Sequence, residues 1–230
     1  MRFHLQFLFM GYSIIITAAG KGLRMGTDVP KQFLLINGQP ILFHTIQRFY
    51  EYDPTIQIIV VLPEDQIHID HWLSLVHQHE FEIPHETVSG GETRFHSIKN
   101  GLAFAKGQII GVHDGVRPFV SHEVIANCYR EAEKSGACIP VLPVKESLRK
   151  INGALSKAVD RSAYRKVQTP QCFEVNLLKK SYEQAYQSFF TDDASVVEAN
   201  GHHITVVNGN EENIKITSPF DLKLAEVLIG

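Results

Sequence analysis

The 230-residue sequence lacks the features that would place a protein in a membrane, on nucleic acid or outside the cell. Its three cysteines, Cys128, Cys138 and Cys172, are too few and too scattered for a disulfide framework or a zinc motif. No apolar run approaches the ~20 residues that a membrane span needs. The formal net charge of -3 gives no general affinity for nucleic acid or anionic membranes. We therefore expect a cytoplasmic protein that binds anions only through a local arrangement of side chains.

Several catalytic motifs are also missing. The sequence has no G-x-S-x-G elbow of a hydrolase and no H-E-x-x-H helix of a zinc enzyme. Its 12 histidines show no spacing typical of metal ligands. The glycines after the first predicted strand match neither G-x-G-x-x-G nor the Walker A pattern. An NAD(P)-dependent oxidoreductase is therefore disfavoured, although it remains one alternative.

Short β-branched runs alternate with helix-length amphipathic segments along most of the chain. Strands are predicted at residues 14–16, 56–62, 87–88, 109–112, 137–142 and 204–207. Helices are predicted at residues 40–50, 64–79, 93–105, 123–134, 175–186 and 193–199, with a last one beginning at 218–219. The alternation predicts an α/β fold, a Rossmann-like and mostly parallel sheet flanked by helices.

Residues 143–169 break this alternation. They are polar and basic, with a turn predicted at Asn152-Gly153, so a β-hairpin fits better than another crossover helix. The hairpin has few apolar residues for a core of its own, and we expect it to project and pack on something else. The chain is thus predicted to have an N-terminal extension at residues 1–12 and a single domain at 13–230, with 143–161 as an arm.

Residues 17–33, TAAGKGLRMGTDVPKQF, follow the first predicted strand directly. Glycines at that position let the backbone approach a phosphate, and successive N–H groups can form an anion-binding nest. Two long cations, Arg24 and Lys31, flank the turn and would suit a polyphosphate whose charge grows during reaction. The alternative is a tight turn that carries two solvated surface cations.

Three further segments follow predicted strands or precede helices. In HDGVRP, Asp114 lies at the carboxyl end of a strand, where ligands of open α/β sheets bind. It could bind a metal–phosphate complex or a sugar hydroxyl, while Arg117 could hold an anion or simply pair with Asp114. In GGETRFHS, two glycines before a helix offer free N–H groups to a base or phosphate. Lys215 could point into a site, or it could protect an edge strand from aggregation.

Taken together and in order, these segments resemble the 2-C-methyl-D-erythritol 4-phosphate cytidylyltransferases of non-mevalonate isoprenoid synthesis. The resemblance covers nearly the whole chain, from residue 14 to residue 228. It rests on the ordered set TAAGKGLRM, PKQF, GGETR, HDGVRP, VDR, TPQCF, TDDAS and NIKIT. It implies an enzyme that joins CTP to methylerythritol phosphate and releases pyrophosphate, with Mg²⁺ bound mainly through the CTP phosphates.

The resemblance also implies roles for individual residues. Arg24 and Lys31 match the cations that stabilise the transition state at the α-phosphate. The nucleotide turn and the cytidine-recognition segment are matched by Ala18, Ala19, Gly20, Gly91, Glu92 and Ser97. Residues around the ribose, metal and sugar-phosphate are matched by Asp114, its neighbour Gly115, and Arg117. The positions that hold the methylerythritol phosphate are matched by Arg161, Thr169 and Lys215.

The same resemblance implies a homodimer whose arm completes the partner's site. Ser147 stands where that arm usually has threonine, a change that keeps a hydroxyl. Thr17 replaces the usual proline of the first motif, and HDGVRP replaces the commoner HDAARP, so contacts near Gly115 are expected to differ slightly. The second change blurs the boundary with the ribitol 5-phosphate cytidylyltransferases, which remain an alternative, and a nucleotide-binding regulator without catalysis is a further one.

Overall fold

The computed structural model describes residues 11–20 and 29–229 of the chain. Its β-strands within these residues are β1 (Tyr12–Thr17), β2 (Leu35–Ile36), β3 (Gln39–Pro40), β4 (Gln57–Leu62), β5 (Glu86–Ser89), β6 (Ile109–Asp114), β7 (Ala137–Pro143), β8 (Leu148–Asn152), β9 (Leu155–Val159), β10 (Arg165–Val167), β11 (Gln171–Glu174) and β12 (Thr205–Asn208). The α-helices are α1 (Ile41–Tyr52), α2 (Gln66–Gln78), α3 (Arg94–Leu102), α4 (His122–Ser135), α5 (Val175–Ser181), α6 (Asp193–Ala199) and α7 (Pro219–Ile229). None of these helices has the length and apolar character needed to cross a membrane.

The central sheet runs in the order β10-β7-β11-β6-β1-β4-β5, with β12 beside β7. Strands β1, β4, β5 and β6 are mutually parallel where they pair, so their carboxyl ends lie along one edge. The predicted mostly parallel α/β sheet is therefore confirmed. In this sheet, sequence reasoning missed two strands, β10 and β11, which run antiparallel to their neighbours, and it also missed the separate pair β2 and β3.

The sheet is covered on both faces because its central strands are apolar over most of their length. In β1, Ile14 and Ile16 pack with α1, α2 and α4, whereas Ile15 packs with α3 and α5 on the other face. Alternate side chains of a strand point to opposite faces, so one continuous isoleucine run serves two cores. This packing fixes the position of the strand ends that carry the polar loops.

The hairpin prediction is confirmed, with a small shift in its turn. Strands β8 and β9 pair antiparallel, and Asn152 lies opposite Leu155, so the turn residues are Gly153 and Ala154 rather than Asn152-Gly153. Gly153 has φ +58°, a left-handed conformation that glycine adopts readily. Residues 149–158 are all exposed, as expected for a segment with little core of its own.

One predicted helix end is wrong. The helix predicted at residues 175–186 ends at Ser181, and Tyr182 caps it. The side chain of Tyr182 is buried and its hydroxyl donates to Asp193 at 2.6 Å, which ties the chain to α6 at this point. Gln184 then donates to the carbonyl oxygens of Ser181 and Val196 instead of continuing the helix. Tertiary contacts with α6 therefore override the local helical pattern.

Candidate active site

A cleft of about 360 Å³ lies at the carboxyl ends of β1, β5 and β6. The loops that leave these strands supply most of its walls, and the segment before α7 supplies the rest. The residues that line it are Thr17, Ala19, Gly20, Lys31, Gly91, Glu92, Thr93, Arg94, Ser97, Asp114, Val116 and Lys215. The crevice beyond the strand ends is where open α/β sheets bind their ligands.

The turn after β1 is held in place from the PKQF segment. The side-chain amide of the buried residue Gln32 donates to the carbonyl oxygen of Ala18 at 2.6 Å and to that of Gly20 at 3.2 Å. Both backbone carbonyls are thus occupied by one side chain, which fixes the start of the glycine-rich turn. The ammonium group of Lys31, one residue earlier, donates to the carbonyl oxygen of Ile216 at 3.3 Å.

The second glycine segment approaches the first very closely. A Cβ atom on Gly90 would lie 2.7 Å from the Cβ of Ala19 and 2.9 Å from the carbonyl oxygen of Leu62. The hydroxyl of Ser97 accepts a hydrogen bond from the Gly91 N–H at 3.0 Å. Helix α3 then begins at Arg94, with Thr93 as its N-cap. The segment therefore presents a fixed backbone and a helix N-terminus to the cleft.

Asp114 is the centre of a charged cluster at the end of β6. Its carboxylate accepts from Nε of Arg117 at 2.8 Å and from Nζ of Lys215 at 3.1 Å. Burial would raise the pKa of this carboxyl group, but Lys215, Arg117 and Arg94 outweigh burial and hold the pKa well below its ordinary value. Asp114 is therefore ionised at neutral pH and fixes two cations beside the cleft.

A second cleft of about 310 Å³ shares Arg94, Asp114 and Lys215 with the first. Arg117 and Thr169 belong to its wall, which continues along residues 167–171 and 191–192. Because three side chains face both clefts, one ligand in each would meet at the Asp114 cluster. The arrangement suits two substrates that react with each other.

Arg94 connects this cluster to the opposite wall. Its guanidinium donates two hydrogen bonds to Asp193, at 3.0 Å and 2.5 Å, and the Asp193 side chain is fully buried. Burial alone would lower the pKa of Arg94, but Asp193 raises it above its ordinary value. The pair links the first residue of α3 to the first residue of α6.

The comparisons with known proteins agree with this geometry. The family model described as "IspD: 2-C-methyl-D-erythritol 4-phosphate cytidylyltransferase" matches residues 12–230. The chain belongs to this family. It is 55% identical over 221 residues to the 2-C-methyl-D-erythritol 4-phosphate cytidylyltransferases of Phocaeicola vulgatus and Bacteroides thetaiotaomicron, covering 96% of this chain and 100% of each relative.

Solved structures with the IspD fold give the same result. The Thermus thermophilus 2-C-methyl-D-erythritol 4-phosphate cytidylyltransferase superposes with a TM-score of 0.76 at 34% identity, covering 95% of this chain and 98% of that one. The 4-diphosphocytidyl-2C-methyl-D-erythritol synthase of Anaerococcus prevotii gives 0.80 at 27% identity, covering 95% and 96%. The resemblance inferred from the ordered motifs is therefore confirmed.

The structure brings most of the sequence-predicted site residues to the two clefts. Those that line one or both are Ala19, Gly20, Lys31, Gly91, Glu92, Ser97, Asp114, Arg117, Thr169 and Lys215. Ala18 and Gly115 are buried just behind the cleft wall. Gly115 donates its N–H to the carbonyl oxygen of Thr17 at 2.9 Å, and a Cβ there would lie 2.9 Å from the same oxygen.

Two predicted residues lie elsewhere, and the position of a third is not described. Arg24 belongs to residues 21–28, outside the part of the chain that the structure describes. Ser147 and Arg161 are exposed at the base of the arm and do not line either cleft. The guanidinium of Arg161 donates instead to the carbonyl oxygen of Lys145. Within one chain these two residues are therefore separate from the Asp114 cluster.

Sequence reasoning missed several residues that shape the site. Arg94 lies inside GGETR and Asp193 inside TDDAS, so both motifs were noted without their ion pair. Gln32 lies inside PKQF, and its buried amide is not distinguishable by sequence from a surface glutamine. A buried Arg–Asp pair far apart in the chain has no local pattern, because it forms only when α3 and α6 pack together.

Proposed function

We propose that this protein transfers CMP from CTP to 2-C-methyl-D-erythritol 4-phosphate, giving 4-diphosphocytidyl-2-C-methyl-D-erythritol and pyrophosphate. Membership of the IspD family supports the assignment. The single observation that carries it here is the pair of adjoining clefts, which share Arg94, Asp114 and Lys215 and are lined by glycine turns. A nucleotide and a sugar phosphate would meet at those shared residues.

The chemistry is a direct in-line displacement. A phosphate oxygen of the acceptor attacks the α-phosphorus of CTP, the new P–O bond forms, and the bond to the β-phosphate oxygen breaks as pyrophosphate leaves. The attacking group is already an anion, so the step needs no general base. Negative charge grows on the nonbridging oxygens, and Arg24, Lys31 and the N–H groups of the glycine turns stabilise it.

The nucleotide would occupy the cleft lined by both glycine segments. We assign Ala18, Ala19 and Gly20 to the turn around its phosphates, and Gly91, Glu92 and Ser97 to the cytosine. Gln32 supports the first turn and Ser97 supports the second through the hydrogen bonds already described. Asp114 and Gly115 would lie beside the ribose.

The acceptor would occupy the second cleft, where cations orient its phosphate. Lys215 and Arg117 are held by Asp114, so they are placed before the substrate arrives. Such positioning lowers the entropic part of the barrier. Thr169 lines the same cleft and would also contact the acceptor.

Mg²⁺ would enter with the nucleotide. Within residues 11–20 and 29–229, no group of three or more histidine, cysteine, aspartate or glutamate side chains could hold a metal ion. A site with so few protein ligands among these residues fits Mg²⁺, because that ion commonly takes most of its ligands from substrate phosphates and water. When bound, it would neutralise charge on the triphosphate during the displacement.

The arm would complete the site of a second chain. Ser147 and Arg161 lie outside both clefts of their own chain, yet the family resemblance assigns them to the acceptor. A homodimer in which each arm crosses to its partner would bring them to the partner's acceptor cleft. The exposed apolar side chains of Ile151 and Leu155, at 66% and 75%, would be covered by such an exchange.

A coupled pyrophosphate assay tests the proposal. It would compare four nucleoside triphosphates with two acceptors, methylerythritol phosphate and ribitol 5-phosphate. We expect pyrophosphate release with CTP and methylerythritol phosphate only. Pyrophosphate release with ribitol 5-phosphate alone would identify that compound as the acceptor. No pyrophosphate release under any condition would favour a regulator that binds nucleotide without catalysis.

A further inference from the structure

A fully buried histidine at the end of β6 takes no part in the mechanism described above. The ring of His113 packs edge-on against Phe49, with centroids 4.8 Å apart. Its Nε2 lies 2.9 Å from the carbonyl oxygen of Arg117, and its Nδ1 lies 3.0 Å from the hydroxyl oxygen of Thr169. The imidazole thus connects two residues of the acceptor cleft.

The partners of this ring determine where its hydrogen lies. A carbonyl oxygen can only accept, so Nε2 carries the hydrogen that is donated to Arg117. Burial lowers the pKa of His113 to about 4, so the ring is neutral at neutral pH. Nδ1 therefore has no hydrogen and accepts from the Thr169 hydroxyl.

The hydroxyl of Thr169 is thereby given one direction. It has a single hydrogen, which is donated to His113, and its oxygen also accepts from the N–H of Asp114 at 3.2 Å. The Thr169 oxygen can therefore accept one more hydrogen bond and can donate none. A phosphate oxygen needs donors, so an oxygen that can only accept is suited to a substrate hydroxyl instead.

We propose that His113 is a positioning residue that orients the Thr169 hydroxyl as a hydrogen-bond acceptor, so that Thr169 recognises a hydroxyl group of the polyol phosphate and not its phosphate. This inference rests on the proposed function and refines its acceptor site. The phosphate is left to cations such as Arg117 and Lys215. Polyol and phosphate are thus recognised by different side chains of one cleft.

Nitrogen NMR on the histidine-labelled wild-type protein tests the tautomer directly. The His113 signals are assigned as those absent from the His113→Gln variant, and if that variant does not fold, from the His113→Asn variant. We expect a protonated Nε2 and an unprotonated Nδ1 at pH 7. A protonated Nδ1, in either the neutral or the charged ring, overturns the proposal. The measurement needs no substrate, so its result does not depend on whether the proposed reaction is right.

Two substitutions at His113 separate its two nitrogen contacts. In His113→Asn the amide can replace Nδ1 and accept from Thr169, whereas in His113→Gln the longer amide can replace Nε2 and donate to Arg117. The readout is kcat/KM for methylerythritol phosphate against analogues that each lack one hydroxyl. For wild type and His113→Asn, we expect kcat/KM to be about tenfold lower with one of the analogues than with methylerythritol phosphate. His113→Gln should lose this discrimination, and its KM for CTP should be unchanged.

Thr169 variants keep the test independent of folding at His113. Thr169→Ser should retain the roughly tenfold discrimination, because the hydroxyl is kept, and Thr169→Val should lose it. If His113→Asn and His113→Gln behave alike, or if Thr169→Val still rejects the deoxy analogue, the proposal is wrong. A wild-type enzyme that turns over no methylerythritol phosphate at all contradicts the proposed function rather than the tautomer.

Discussion

The carboxyl edge of the sheet and the arm are built in opposite ways. At the sheet edge, His113, Asp114 and Thr169 are buried, and each has at least two polar contacts that fix its side chain. On the arm, residues 149–158 are all exposed, and Ile151 and Leu155 leave most of their apolar surface in solvent. The polar side chains of the sheet edge find their partners within one chain, whereas the arm has few residues of its own chain to pack on.

This difference shows how the site would be divided between two chains. A reaction centre needs charges held at fixed distances, which the packed sheet provides through buried partners. A segment with exposed apolar side chains and no core gains stability by binding another surface. We therefore expect substitutions at the sheet edge to change folding and chemistry. Substitutions on the arm should change the assembly of the dimer.

The largest difference should appear in stability. Phe173 of β11 is fully buried, and Phe173→Ala should lower the free energy of unfolding by about 3–5 kcal/mol. Ile151→Ser on the arm should change the stability of the monomer by less than ~0.5 kcal/mol but weaken dimerisation. Denaturant titrations at two protein concentrations check both, and a concentration-independent midpoint is expected for Ile151→Ser. Equal losses for the two variants would remove the distinction between the regions.

The next effect concerns the chemical step. Lys31→Ala removes a donor to the growing charge, a contribution of ~3 kcal/mol, so kcat should fall about a hundredfold or more with a modest change in KM. Steady-state kinetics of pyrophosphate release measure it. Lys134→Ala on α4, an exposed lysine outside both clefts, is the matched control and should leave kcat unchanged. Wild-type kcat in Lys31→Ala would end the assignment of this residue.

The Asp114 cluster should show a pH-dependent stability. The pKa of Asp114 is lowered in the folded state, so its ion pairs stabilise the protein above the ordinary carboxyl pKa of ~3.9 and this stabilisation is lost as pH falls towards the folded value. Asp114→Asn should cost about 1.5–3 kcal/mol at pH 7. The gap between the two proteins, measured by urea unfolding, should narrow below about pH 4. A gap that stays constant or widens there contradicts the ion-pair account.

A smaller effect is expected from a single methyl group between the glycine segments. Gly90→Ala would force Ala19 and the Leu62 carbonyl apart, at a cost of about 1–3 kcal/mol in stability. KM for CTP should rise because both turns move. Gly20→Ala is the control for stability only, since a Cβ there meets nothing within 4 Å. A KM for CTP in Gly90→Ala equal to that of the wild type would show that the close approach is unimportant for nucleotide binding.

Much of the fold could be predicted from the sequence because its signals are local. Nearly continuous apolar runs such as residues 56–62 indicated buried strands, and Ser218-Pro219 indicated the start of α7. The two antiparallel strands were missed because β10 and β11 have 3 and 4 residues, too few for a periodic pattern. The end of α5 was missed because Tyr182 is held by Asp193, a contact that no local pattern contains.

The site was predictable to a different extent. The motifs indicated which residues meet, and the resemblance indicated what they do, but neither showed which partners hold them. That Asp114 fixes both Arg117 and Lys215 depends on three segments far apart in the chain. The buried role of His113 was hidden for the same reason, since a histidine beside an aspartate has no distinctive spacing.

The central claim is that Lys31 acts in the cleft of one chain while Arg161 acts across the dimer. Mixing equal amounts of a Lys31→Ala protein and an Arg161→Ala protein, each nearly inactive, tests it most directly. If subunits exchange at random, half of the dimers are mixed and each has one intact site, so about a quarter of wild-type activity should return. If both residues serve the same chain's site, mixing with verified subunit exchange will restore nothing, and the account is contradicted.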